Sequence, residues 1–212
     1  MFDSNITWFC SDLKTEAAKQ IGIELEEAIK SNNHKEATRL FKKVKKYMKK
    51  RVNENYFSPM ERIYQVLSKL DVPENTAFIH MGVNCILIEL YYEIVNGYDE
   101  SREGGKVSDA YKSVIPMLSS NISEYEAIIF YNGIRCGIIH QGQTKDDTAL
   151  TYQHEVVFEK NGDYYLSNPK KVYDEVKRIY KLYWEDISTR NYSDAKALLL
   201  IKKYNNILNH IS

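Results

Sequence analysis

The chain has 212 residues, 43% of them apolar and 27% charged, and its 29 basic and 29 acidic side chains cancel to zero formal charge. That length is ample for a buried core, while the charge balance excludes a global field that would draw in nucleic acid or membrane, so any such attraction has to be local. Cys10, Cys85 and Cys136 are odd in number, far apart and without a CxxC pair, which excludes a disulfide framework or thiolate zinc site and suits a reducing cytoplasm.

The opening residues Met1 to Asn5 show neither a basic n-region nor an apolar h-region, so no signal peptide is expected. Leu13, Ala17, Ile21, Leu25 and Ile29 recur at helical spacing and predict a first amphipathic helix, stopped by Asn32 and Asn33. Ala37, Phe41, Val44 and Met48 predict a second. Ser58-Pro59 is an N-cap followed by proline at the first helical position, and predicts a new short helix to about Leu70. Val72-Pro73 then divides an N-terminal helical extension, residues 1–70, from a main domain, residues 71–212.

The main domain opens on a long helix from about Glu74 to Asn96. Its apolar run from Phe78 to Leu90 is too short and too polar for a membrane span, since His80, Asn84 and Glu89 interrupt it. Gly97 to Gly105 reads as an exposed loop, Ser108-Asp109 starts a helix disturbed by Pro116, and a further helix runs from about Ser123 to His140. The period then changes. A hairpin over about 154–166 is predicted around Asn161-Gly162, the favoured pair for a type I′ turn, with Lys160 opposite Asp163 and Phe158 opposite Tyr165. Val172, Val176, Ile179, Tyr183 and Ile187 mark one more helix, and Leu198, Ile201, Leu208 and Ile211 a last one. The expected fold class is all-α, a helical bundle with one small β-hairpin before the C-terminal helices.

The helix from Ser123 to His140 carries the most chemistry. On a wheel at about 100° per residue, Ala127, Tyr131, Ile134 and Ile138 form a core face. The opposite face is centred on Asn132 and holds Arg135, Cys136 and His140 among Ile128, Ile129 and Ile139. Polar and charged groups set among isoleucines need partners, so this face is expected to be covered by a groove wall or a second subunit. Arg135 and His140 diverge by about 140° on an ideal helix; the length of the arginine, and a last turn loosened at Gly137, are the means of closing that gap. Glu89, flanked by Leu87-Ile88 and Leu90-Tyr91, is either the carboxylate that faces Arg135 or a helix-edge group reaching solvent. His80 and Asn84 lie one turn apart but lack a third ligand, so no metal site is expected, and nothing in the sequence calls for a cofactor. Seven positive charges fall between Lys42 and Arg51. Lys42, Lys45, Lys46 and Lys49 are either a stripe for a phosphate backbone or the solvated face of an amphipathic helix.

The segment Arg135-Cys136-Gly137-Ile138-Ile139-His140 resembles the Arg-x4-His signature of the HEPN (higher eukaryotes and prokaryotes nucleotide-binding) family, and the wider string from Phe130 to Gln141 is similar to its bacterial members. The resemblance covers about Glu74 to Ile187. It implies a helical domain that dimerises and brings two motifs to one cleft. Active members are metal-independent endoribonucleases, often toxins paired with an antitoxin or anti-phage effectors, in which the 2′-OH attacks the adjacent phosphate and leaves a cyclic phosphate. Carried onto this chain, His140 is the acid/base and Arg135 the phosphate clamp, with RNA or nucleotide as the partner and an acidic or polar residue such as Glu89 facing the arginine. Where many active relatives have a polar residue directly after the arginine, this chain has Cys136; Asn132 is the polar group nearest to hand. Other relatives are noncatalytic binding or interaction modules, and that alternative stands beside the ribonuclease.

Overall fold

In a computed structural model, residues 8–67 and 76–210 are described. The expected boundaries at Leu70, Val72-Pro73 and Glu74, the N-terminal residues Met1 to Asn5 and the core position Ile211 lie outside the described residues. The fold is predominantly helical, with small strands. In chain order it runs β1 (Trp8–Cys10), β2 (Leu13–Lys14), α1 (Thr15–Lys30), α2 (His34–Val52), a π-helical turn (Asn53–Phe57), α3 (Ser58–Leu67), α4 (Ala77–Asn96), α5 (Val107–Leu118), α6 (Glu124–Ile129), a second π-helical turn (Phe130–Arg135), α7 (Cys136–Gln141), β3 (Thr148–Leu150), β4 (Glu159–Asn161), β5 (Tyr164–Ser167), α8 (Pro169–Thr189) and α9 (Ala195–Asn209). α4 is long and apolar enough to cross a bilayer by length and composition alone, but half of its apolar window is buried inside the fold.

Two compact units divide the chain: residues 1–59, 93–100 and 183–212 form one, and residues 60–92 and 101–182 the other. This grouping places the C-terminal helix with the N-terminal helices.

In the first unit, α1 and α2 bury the stripes Ala18, Ile21, Leu25, Ala28 and Ala37, Leu40, Phe41, Val44, Met48. A positive φ at Asn32 ends α1, and the Asn33 side chain caps α2 by accepting from the Glu36 N–H at 3.3 Å. Leu13, expected in α1, instead belongs to the short β1–β2 hairpin, where it is buried along with Phe9. The Phe9 ring meets Tyr204 of α9 edge-on at 5.1 Å, and the Tyr204 hydroxyl donates to the Ala18 carbonyl at 2.9 Å. Lys203 is 3% exposed, its ammonium 2.7 Å from both Glu93 Oε2 and the Asp99 carbonyl, so this buried charge is paired and hydrogen-bonded.

α3 begins at Ser58 as expected, but Ser58 is not the N-cap of a separate helix. Ser58 has helical dihedrals and donates its N–H to the Asn53 carbonyl, five residues back, so α2, the π-turn and α3 form one uninterrupted helical run. The wider turn sits immediately ahead of Pro59, whose missing N–H would otherwise interrupt the ladder. Pro116 acts more conventionally, and α5 ends two residues after it.

The second unit holds a three-stranded sheet in the order β3-β5-β4, with β3 parallel and β4 antiparallel to β5. The hairpin register differs from the expected one: Lys160 lies opposite Tyr165 and Asn161 opposite Tyr164. Gly162 alone has positive φ in this turn, at 61°. Glycine therefore occupies the first central position, the pattern of a type II′ turn, and Asn161 escapes the left-handed conformation that type I′ would impose. Phe158 is still buried, stacked on Tyr165 at 5.1 Å and edge-on to Phe130 at 5.3 Å. Asn84 is fully buried and donates to the Pro169 carbonyl at 2.8 Å, tying α4 to the start of α8.

Candidate functional site

The site lies wholly within the second unit and is built on the helical run of residues 124–141. Ser123 caps it reciprocally: its Oγ accepts from the Glu126 N–H at 3.3 Å, while Glu126 Oε2 accepts from the Ser123 N–H at 2.8 Å. Within the π-turn the Cys136 N–H reaches the Tyr131 carbonyl, five residues back. The extra residue shifts the phase of the helix. Ala127, Phe130, Gly133, Ile134 and Gly137 are buried, while Tyr131 and Ile138, expected in the core, are only half-buried.

Gly133 and Gly137 lie where residues 143–148 cross the helix. A Cβ at Gly133 would sit 2.3 Å from Thr148 Cγ2, and one at Gly137 would sit 2.4 Å from the Gln143 carbonyl oxygen. The crossing is hydrogen-bonded, because the Lys145 N–H donates to the Gly133 carbonyl at 2.9 Å and the Thr148 hydroxyl to the Lys145 carbonyl at 2.7 Å. Gly137 thus does not loosen the last turn, which stays helical to Gln141; it admits the strap. Gly137→Ala is expected to cost about 1–3 kcal/mol by overpacking, with faster amide exchange at Lys145 as the strap lifts; exchange and stability unchanged from wild type would show that the strap tolerates the methyl.

Arg135 leaves this helix toward α4. Its Nε donates to Glu89 Oε1 at 2.9 Å, Nη2 lies 3.5 Å from Glu89 Oε2, and Nη1 lies 3.5 Å from His140 Nε2. The side chain's reach closes the angular gap between Arg135 and His140. The Glu89 and Arg135 side chains are 20% and 17% exposed, so they form a largely desolvated pair, while His140 is exposed. Burial works against the guanidinium charge, but the hydrogen bond and charge of Glu89 outweigh it and hold Arg135 above the ordinary arginine pKa. Behind the pair, the Tyr111 hydroxyl donates to Glu89 Oε1 at 3.0 Å and Ser101 Oγ lies 3.4 Å from Oε2. Tyr111 is completely buried, and that burial, then the nearby Cys85 and Glu89, raise its pKa well above the usual tyrosine value. The Arg135 guanidinium carbon also sits 5.8 Å from the centroid of the Tyr131 ring.

The structure therefore brings Arg135, His140 and Glu89 together. Asn132 is exposed and, among the described residues, makes no hydrogen bond to any of the three. Cys136 is a half-buried free thiol. Tyr111 and Ser101 complete the carboxylate's shell, and sequence reasoning missed both. Tyr111 carried a usable signal, since a tyrosine on the apolar face with Ala110 and Val114 needs a partner for its hydroxyl.

The basic residues fall in the first unit and divide by occupation. Lys45 donates to the Ser188 and Arg190 carbonyls at 2.9 and 3.4 Å, closing the end of α8. Lys50 pairs with Asp12 and Glu54, and Arg51 donates to the Phe9 carbonyl. Lys42, Lys46 and Lys49 are exposed, with no ion pair among the described residues. Among those residues there is also no cluster of three or more His, Cys, Asp or Glu placed to hold a metal ion. No protein-family model matches the chain, and neither the curated proteins nor the solved structures yield a match.

Proposed function

We propose that the chain is an HEPN-type, metal-independent endoribonuclease, a cytoplasmic toxin or anti-phage effector that works as a homodimer. The observation that carries this reading is the Arg135 Nη1 to His140 Nε2 approach of 3.5 Å, with Glu89 gripping the guanidinium from behind and His140 open to solvent. A fixed cation beside an accessible imidazole suits phosphoryl chemistry. Arg135 holds the scissile phosphate and stabilises charge building on its oxygens. An imidazole takes the 2′-OH proton as that oxygen attacks phosphorus, and a protonated imidazole gives a proton to the departing 5′-oxygen, leaving a 2′,3′-cyclic phosphate. With one such histidine per chain, the second role falls to the partner copy. Gly82 of α4 packs near Ile138 of α7, and around that contact Ile79, Ile86 and Ile139 are 62%, 45% and 48% exposed, an apolar surface suited to a second copy or to an antitoxin.

A second reading, a noncatalytic HEPN module that binds RNA, nucleotide or a protein partner, is favoured by Glu89 facing two of the three guanidinium nitrogens and by Cys136 in the position after the arginine. The two separate on labelled single-stranded RNA in EDTA. The ribonuclease cuts it, and His140→Ala loses at least about 100-fold in rate. Cutting that His140→Ala leaves unchanged would remove His140 from the chemistry, and tight binding without cutting would favour the module.

A further inference from the structure

We propose that the exposed ridge of α2 formed by Lys35, Arg39, Lys42, Lys46 and Lys49 is a contact surface for the sugar-phosphate backbone of single-stranded RNA. These residues are spaced i, i+4, i+7, i+11 and i+14, which keeps them within about 80° of arc along about 21 Å of helix. All five are exposed. Arg39 is tied to Glu36, whereas Lys35, Lys42, Lys46 and Lys49 have no ion pair among the described residues. On the same helix Lys45, Lys50 and Arg51 point their charges at carbonyls and carboxylates of the fold. The ridge is thus what remains of the basic segment once its structural duties are met, and apart from Arg39, which Glu36 already pairs, it leaves four lysine charges in a row open to an anion from outside.

The occupant follows from the ridge's flanks. The apolar face of α2, with Ala37, Leu40, Phe41, Val44 and Met48, is spent in the core, so no apolar stripe remains to enter a bilayer. Beside the ridge is Tyr47, half-exposed, with the Lys46 ammonium 5.0 Å from its ring centroid. A charged row with an aromatic ring at its side suits a strand whose phosphates follow the row and whose bases stack on the ring. The inference goes beyond the cleavage reading and does not require it, since backbone binding on α2 is independent of whether His140 transfers protons.

The test is fluorescence anisotropy of a labelled single-stranded RNA of mixed sequence, titrated in EDTA across a salt series with the full-length His140→Ala chain, which keeps the RNA intact. Adding Lys42→Gln, Lys46→Gln and Lys49→Gln together should raise Kd at least about tenfold near 0.1 M salt and flatten the slope of log K against log salt by about 2. Removing three exposed lysines elsewhere, Lys14, Lys30 and Lys160, should change the slope far less. Equal losses from the two triple variants, an unchanged slope in the ridge variant, or no RNA binding by the parent at low salt would overturn the proposal. Ridge-dependent binding to anionic phospholipid vesicles in place of RNA would overturn it in favour of a membrane surface. Failure of the wild-type chain to cut RNA would count against the cleavage reading and leave the ridge standing.

Discussion

Arg135→Ala is expected to lower stability by about 3 kcal/mol and to abolish cleavage, while His140→Ala abolishes cleavage and leaves stability within about 0.5 kcal/mol of wild type. The asymmetry follows from burial. Removing the guanidinium strands the Glu89 carboxylate, 20% exposed, with only the Tyr111 and Ser101 hydroxyls for company. An unpaired buried charge is the costly product of such a deletion, so adding Glu89→Gln to Arg135→Ala should recover part of the loss. His140 is exposed and its link to Arg135 is long, so its deletion strands nothing. Chemical unfolding of the three single variants, Arg135→Ala, His140→Ala and Glu89→Gln, and of the Arg135→Ala/Glu89→Gln double variant measures these terms. Equal stability of Arg135→Ala and wild type would mean that the pair contributes nothing to folding, and additive losses from Arg135→Ala and Glu89→Gln would mean that the two residues act separately.

Stability should also fall as the pH drops from 7 to 5, by about 2 kcal/mol from His80 alone, and by about 3 kcal/mol near pH 4. His80 is 1% exposed, its Nδ1 joined to the Tyr152 hydroxyl and its ring 4.3 Å from that of Tyr64. Burial pushes its pKa down to about 4 from an ordinary 6.5. The unfolded chain therefore binds the proton first as the pH falls. The neutral imidazole's contribution is complete above pH 6.5, shrinks through the interval down to about 4, and is gone below it. Urea unfolding at pH 7 and pH 5 of wild type and His80→Gln isolates the term, because glutamine keeps a polar side chain and cannot titrate. An identical pH dependence in the two proteins would show that His80 is protonated without penalty in the fold.

How much of this was legible in the sequence depends on whether a local period or a distant partner set the structure. α8 follows from apolar residues repeating at about 3.6, since Val172, Val176, Ile179, Tyr183 and Ile187 are all buried. In α1 and α9 the period marks the helix, but Ala17 and Leu198 of the expected stripes are exposed. The two π-turns do not follow from the period, because a wheel at constant angle has no place for an inserted residue; such a wheel puts Tyr131 and Ile138 in the core, and Ser58-Pro59 reads as a cap. The Asn161-Gly162 pair announced a turn, but whether one or both residues take positive φ fixes the register, and the composition of the pair leaves that open. β3 is a three-residue strand whose partner lies beyond a long loop, so no local signal marks it. At the site, a carboxylate among aliphatic neighbours on α4 and an arginine among isoleucines each implied an opposite charge, and Glu89 and Arg135 meet. Ser101 comes from a loop, and the strap over Gly133 and Gly137 from a segment without periodicity; only tertiary packing reveals either.

The chemistry assigned to Arg135 and His140 is tested most directly by the ends left on cleaved RNA. With purified protein in EDTA, mass spectrometry of the products should find 2′,3′-cyclic phosphates paired with 5′-hydroxyls, and should find neither with His140→Ala. Products ending in 3′-hydroxyl and 5′-phosphate would mean that water, and not the neighbouring 2′-OH, attacked the phosphate, and would contradict the account.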